Sequence, residues 1–386
     1  MNDQARTPAP GITYADAGVD IHAGDRAVEL MKEAVAATHG PEVLGGVGAF
    51  AGLLDVSALK DYRRPLLASS TDGVGTKIAI ARALDVHDTI GRDLVAMVVD
   101  DIIVVGAKPL AMTDYIACGR VVPERIADIV RGIAEGCRLA GCALVGGETA
   151  EHPGLMAPDD YDVAGAAVGV VEADSLLGPD RVSAGDVVIG MDASGLHSNG
   201  YSLVRAVIDA QGLGWDTVVP EFSRTLGEEA LEPTRIYTGD LLALLESPAG
   251  GGVHALSHVT GGGLAANLAR VLPLRLGARI DRGTWTPPAV FDRVATWGDV
   301  PLPDLEATLN MGIGMVAVVA ADQADAVVRT LAERHLPARA IGTIHAVDEL
   351  PAASGQDVLT AGAKGVDGGS VLMTGNHPGW TGSPGA

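Results

Sequence analysis

Apolar residues recur at helical spacing between Asp25 and Thr38, with Val28, Met31 and Val35 on one face, and Gly40 and Pro41 close the segment. The same period predicts helices over Asp88–Gly106 and Pro123–Ala140. Short apolar runs predict strands at Pro65–Ser69 and Ala143–Val145, and the longer run at 162–172 reads as a buried strand. In the second helix Leu94, Met97, Val98, Ile102 and Val105 form an inward stripe, and Asp101 falls on that stripe. A polar stretch, Ala173–Gly185, marks the expected domain boundary, and Val187–Met191 predicts the strand that opens the second half. The expected organisation is an arm at 1–20, an N-terminal domain at 21–173 and a C-terminal domain at 174–349. The glycine-rich, aperiodic segment 350–386 is expected to be a flexible tail. Repeated strand–glycine loop–helix units predict a mixed α/β protein of two domains.

Composition narrows the function. The 386 residues include 27 Lys+Arg and 49 Asp+Glu, a formal charge of −22. Such acidity argues against nucleic acid or an anionic membrane as the main partner, because both need basic surface. No apolar run reaches the roughly 20 residues of a membrane-crossing helix, and the start MNDQARTPAP lacks a charged-then-apolar leader. Cys118, Cys137 and Cys142 form an odd, sparse set, expected to be reduced thiols in the cytoplasm.

The candidate chemistry lies in carboxylates and glycine loops. An ionised Asp101 on an apolar stripe needs a cation or several donors, so it is either a capped structural carboxylate or a ligand. Asp72 and Glu148 each follow a predicted strand, where ligands gather in α/β sheets. Three hard oxygen donors without a Cys/His cluster suit Mg²⁺ and bound phosphates. Lys77 closes the loop TDGVGTK, in which Gly73 and Gly75 let backbone amides approach a phosphate. SGLHSNGYSLVR at 194–205 and TGGGLAANLARVL at 260–272 each place glycines before a helix, making two candidate anion sites. In the first, Ser194, Ser198 and Asn199 supply donors and His197 a candidate proton carrier. Familiar alternatives fail. There is no P-loop signature. Gly46, Gly48 and Ala51 match G-x-G-x-x-A outside any βαβ context, and Ala255 stands where His254 and His258 would need a Glu to make a zinc protease.

YADAGVDIHAG, STDGVGTK, GGETAEHPG, DYDVAG, SGLHSNGYSLVR, PTRIY, HVTGGGL and NMGIGM occur in order over residues 14–345. This series resembles the phosphoribosylformylglycinamidine cyclo-ligase (aminoimidazole ribonucleotide synthetase) family of purine biosynthesis. The resemblance implies a cytoplasmic homodimer whose N-terminal sheets pair into a β-barrel, with a C-terminal α/β sandwich. It also implies ATP-dependent ring closure of formylglycinamidine ribonucleotide. By the same resemblance Asp72, Asp101 and Glu148 would hold Mg²⁺, and Asp72, Gly73, Gly75, Thr76, Lys77 and Lys32 would meet ATP. Ser194, His197, Ser198, Asn199, His258 and Gly261, Gly262 and Gly263 would take the substrate's phosphate or ribose. His197, Lys77 and Asp101 stand as the catalytic candidates. Asp100 occupies a position where the family often has Asn, and either alters metal affinity or faces solvent. Other ATP-using phosphotransferases of the superfamily, such as thiamine-monophosphate kinase and selenophosphate synthetase, and a non-catalytic nucleotide-binding module are the alternatives.

Overall fold

A computed structural model describes residues 18–46, 48–363 and 365–382. Most of the expected N-terminal arm lies outside the described residues. The chain enters through α1 (Ile21–Ala36), whose N-terminus is capped by Asp20 accepting from the backbone of His22 and Ala23. Two short paired strands, β1 (Val43–Leu44) and β2 (Leu53–Leu54), bracket a glycine loop.

The N-terminal sheet has the order β3-β6-β4-β5, built from β3 (Pro65–Gly73), β4 (Lys108–Cys118), β5 (Ala143–Glu151) and β6 (Tyr161–Glu172). Only β4 and β5 run parallel, joined by the crossover helix α4 (Pro123–Ala140); the other pairs are antiparallel. The short α2 (Ile78–Leu84) leads to α3 (Ile90–Ile103), and α3, α4 and α1 cover one face of the sheet. The opposite face is bare in the single chain: Leu67, Val168 and Tyr115 are 68%, 40% and 41% exposed.

The C-terminal sheet has the order β10-β12-β7-β13-β11-β15-β14. It starts with β7 (Val187–Asp192), and the chain then forms α5 (Tyr201–Ala210), the short pair β8 (Val218–Val219) and β9 (Arg224–Thr225), α6 (Leu226–Ala230) and α7 (Thr238–Glu246). Next come β10 (Val253–His258), α8 (Gly263–Ala269), β11 (Leu276–Asp281), α9 (Ala289–Gly298), α10 (Leu302–Glu306) and β12 (Ile313–Val319). The order closes with α11 (Ala324–Glu333), β13 (Ala338–Ala346), β14 (Val358–Ala363) and β15 (Val366–Thr374). Every residue of β12 is buried, because apolar clusters lie on both sides of this sheet.

Two expectations need correction. The segment after 350 is not a loose tail: β15 pairs parallel with β11 and antiparallel with β14, and Val371 and Leu372 are fully buried. Its glycines hid the pattern because they serve close packing. A Cβ on Gly368 would lie 2.2 Å from the Ala269 carbonyl oxygen, where α8 crosses the strand. Second, β3 and β5 run four and six residues past their predicted ends, to Gly73 and Glu151, so Asp72 and Glu148 lie within strands instead of in loops.

Candidate active site

Helix α3 carries the polar centre of the molecule, because it is buried on almost every side between the two sheets. Asp93 and Asp100, seven residues apart and so two turns along one row, are both fully buried. Asp93 accepts from the backbone and hydroxyl of Thr234 at 2.8 and 2.6 Å. Asp100 accepts from the backbone of Tyr237 and of Thr238, and from the Thr238 hydroxyl at 2.7 Å, where α7 begins. Burial pushes Asp100 up to about 6, against the pull of His258 and these hydrogen bonds. Together the two carboxylates clasp segment 234–238 of the C-terminal half to α3. Asp101 reverses its expectation: its side chain is 44% exposed, while Asp100 is the buried one. The apolar stripe misled because α3 packs on several sides, so its carboxylates sort by partner and not by a single inward face.

Lys77 also departs from its expected role. Its ammonium is fully buried and donates to Asp93 Oδ1 at 2.9 Å and to the carbonyls of His197 and Glu232 at 3.0 and 2.7 Å. Those three bonds use all three of its protons. Burial lowers the pKa of Lys77 and raises that of Asp93, and their contact works against both. Lys77 is thus a buried strut between the halves. Lys32 is solvent-exposed on α1.

The two histidines differ sharply. His197 sits at φ +62° with its ring buried, and Nε2 accepts from the Ser194 backbone at 3.2 Å. Burial, with the charges of His258, Lys77 and Arg235, holds it well below the usual histidine range, so it is a neutral organiser of its loop. His258 ends β10, and its Nδ1 lies 3.0 Å from Asp101 Oδ1, while its buried Nε2 has no partner among the described residues. Burial would lower its pKa, but the Asp101 hydrogen bond and the charges of Asp100, Asp101 and Asp72 outweigh that and raise it. A carboxylate on one ring nitrogen orients the other, which is the geometry of a proton carrier.

The two glycine loops are laced together instead of standing open. Asn199 Oδ1 accepts from the Gly261 backbone at 3.0 Å, and the Gly263 backbone donates to Thr260. Gly262 caps α8 at φ +103°. Ser194 and Ser198 donate to the carbonyls of Pro233 and Val74 at 2.7 and 2.8 Å, and Thr76 meets Ser202 at 3.2 Å. The Ser198 and Thr76 contacts latch the C-terminal half onto the β3 loop that holds Gly75 at φ +76°.

The three expected metal ligands do not converge in one chain. Asp72, Gly165, Asp114 and Gly147 form one cross-strand row, with Glu148 one residue beyond it. Asp72 and Glu148 therefore lie on opposite edge strands, about 14 Å apart at three strand spacings, and strand alternation turns them to opposite faces. Among the described residues no group of three His, Cys, Asp or Glu is placed to hold a metal ion. Asp72, which accepts from Gly73 N, and Asp101 remain on the His258 side of the molecule. The sequence pattern did not single out Asp93, and it carried Thr234 only inside the motif PTRIY. The available signal was the seven-residue spacing of Asp93 and Asp100 within an apolar helix.

Comparison with known proteins fits this arrangement. The family description "AIR synthase related protein, N-terminal domain" matches residues 53–171, and its C-terminal counterpart matches 183–351. Among solved structures, thiamine-monophosphate kinase from Stenotrophomonas maltophilia superposes with a TM-score of 0.58 at 21% identity, covering 82% of this chain and 93% of that one. Hydrogenase maturation protein HypE in complex with ATP gives 0.59 at 20% identity, covering 93% and 96%. Fold and family matches together define a two-domain protein of the AIR synthase-related class. Phosphoribosylformylglycinamidine cyclo-ligase of Geobacillus thermodenitrificans is 51% identical over 332 residues, 86% of this chain and 95% of the relative. The enzyme of the same name from Desulfitobacterium hafniense is 50% identical over 315 residues, 82% and 91%. The chain belongs to the phosphoribosylformylglycinamidine cyclo-ligase family.

Proposed function

We infer that this chain is an ATP-dependent ligase that closes formylglycinamidine ribonucleotide to 5-aminoimidazole ribonucleotide, releasing ADP and phosphate. Identity of about half the residues over nearly the whole length of the named relatives carries this reading. The chemistry explains the demand for ATP. An amide oxygen leaves poorly, so it first attacks the γ-phosphorus and displaces ADP, giving an iminophosphate as the amide nitrogen loses its proton. The neighbouring nitrogen then attacks the activated carbon, the ring closes and phosphate departs. Little covalent help is needed; positioning and charge neutralisation supply most of the acceleration.

The geometry supports a role for each of several residues. His258, oriented by Asp101, takes the proton released from nitrogen through Nε2. Asp101 is thereby a positioning residue for that histidine. His197 and Lys77 hold the loop and the domain contact, and do not touch the reacting atoms. Asp72 and Asp101 are exposed hard oxygen donors on the His258 side of the molecule, a set that would fit Mg²⁺ completed by nucleotide phosphates; when bound, the ion would neutralise phosphate charge. The bare sheet face around Leu67, Val168 and Tyr115 supports a homodimer closed through that face, with Glu148, paired with Tyr115, on the same face. The buried, unbridged cysteines agree with work in a reducing cytoplasm. No helix among the described residues is long and apolar enough to cross a membrane.

The test is direct. With Mg²⁺, ATP and formylglycinamidine ribonucleotide, ADP and a diazotisable aminoimidazole should form in equal amounts. ATP turnover without the aminoimidazole would remove the cyclo-ligase assignment.

A further inference from the structure

A polar cavity of about 440 Å³ lies between the start of α3, the end of α4, the segment 232–240 and the end of α11. It draws arginines from three places: Arg92 from the first turn of α3, Arg235 from the segment that Asp93 and Asp100 clasp, and Arg334 just past α11. Two carboxylates share the lining, and each already has a cation. Asp240 accepts from Arg334 at 2.8 Å, and Glu232 from Arg224 at 2.5 Å. Arg92 reaches only Glu135, at 3.7 Å, and the Arg235 side chain has no hydrogen bond or ion pair among the described residues. The Nε atoms of Arg92 and Arg235 are buried without a hydrogen-bond partner among those residues.

A buried N–H left unpaired costs free energy, and a chain of formal charge −22 has carboxylates enough to have paired it. These donors call for an acceptor from outside the chain. Guanidinium forks bind carboxylates and phosphates alike, but a carboxylate presents one edge, whereas a phosphate monoester has three terminal oxygens and serves forks arriving from several elements. We propose that this cavity is a binding site for a phosphate dianion, free or carried on a small organic molecule, with Arg235 as its principal ligand and Arg92 and Arg334 flanking it. The site is separate from the Asp101–His258 pair, which lies at the other end of α3. It joins the two halves: Arg92 belongs to the N-terminal half, and Arg235 and Arg334 to the C-terminal half. Arg235 directly follows Thr234, which Asp93 holds, so the anion would reinforce the same clasp from outside.

The test is calorimetric titration of the full chain with inorganic phosphate and with glucose 6-phosphate, neither of them a nucleotide. Arg235→Gln should weaken binding at least about tenfold, as one charge-assisted fork is lost. Leu139→Glu should also weaken it, by setting a carboxylate at the rim; Leu139 is 46% exposed, so the fold tolerates the change. Phosphate should raise the melting temperature of the unaltered protein, because it binds the folded chain alone, and raise that of Arg235→Gln by less. Tighter binding of glucose 6-phosphate marks an organic ester as the ligand, and tighter binding of inorganic phosphate marks the free ion; either result supports the site. Phosphate held on the His258 side would be indifferent to both substitutions. Equal affinity in the unaltered, Arg235→Gln and Leu139→Glu proteins would therefore overturn the proposal, as would no phosphate binding by the unaltered protein.

Discussion

The two sheets of this protein solve burial differently. The C-terminal sheet is covered on both faces, and its strand β12 is apolar and buried from Ile313 to Val319. The N-terminal sheet is covered on one face only, and β3 and β6 accordingly alternate between buried or half-buried and exposed residues along much of their length. The first sheet is complete within one chain, whereas the second presents Leu67 and Val168 to solvent. Between them runs α3, whose Asp93, Asp100 and Asp101 tie the halves together and orient His258. The fully covered C-terminal sheet thus acts as a platform, and the half-covered N-terminal sheet carries the proposed association face.

The sharpest way to break this comparison is to place a charge in each sheet. Ala317→Asp, in the fully buried β12, should cost several kcal/mol and abolish cooperative thermal unfolding near the normal temperature. Leu67→Asp on the bare face should leave the chain folded but halve its mass in light scattering, as a dimer separates into single chains. Unchanged mass with Leu67→Asp would show that this face does not carry the association.

A smaller effect separates the buried carboxyls by pH. The folded-state pKa of Asp114 is raised above its unfolded value, so the folded chain holds the proton more tightly. That stability is fully present below about pH 4 and is lost as pH rises through about 7. Asp114→Asn cannot titrate, so its melting temperature relative to the unaltered protein should climb between pH 4 and pH 8, by a few degrees. A pH-independent difference would mean that Asp114 is not a buried carboxyl.

Much of this was legible in the sequence, and the failures have physical reasons. Helices α1 and α4 follow their apolar period because each buries one face. Asp101 was found, but with the wrong surroundings, since a helix packed on several sides has no single stripe to read. Lys77 stood in a glycine-rich loop that looked built for phosphate, yet its partner Asp93 comes from another helix and two of its acceptors are carbonyls more than a hundred residues away. Such long-range acceptors leave no mark in local spacing. The strands at 358–374 were missed because Gly368 and Gly369 serve close packing, and glycine reads locally as flexibility. The cyclo-ligase motifs were visible in order, because each is a short local run.

In the proposed mechanism the proton passes through His258 held by Asp101, and His197 only organises its loop. The deciding measurement is kcat for ring closure in His258→Gln and His197→Gln, each checked for an intact fold by thermal unfolding. Turnover should fall about a hundredfold or more in His258→Gln with little change in melting temperature, whereas His197→Gln should lose stability with a smaller effect on kcat. Near-normal turnover in His258→Gln, with the large loss at His197 instead, would contradict it.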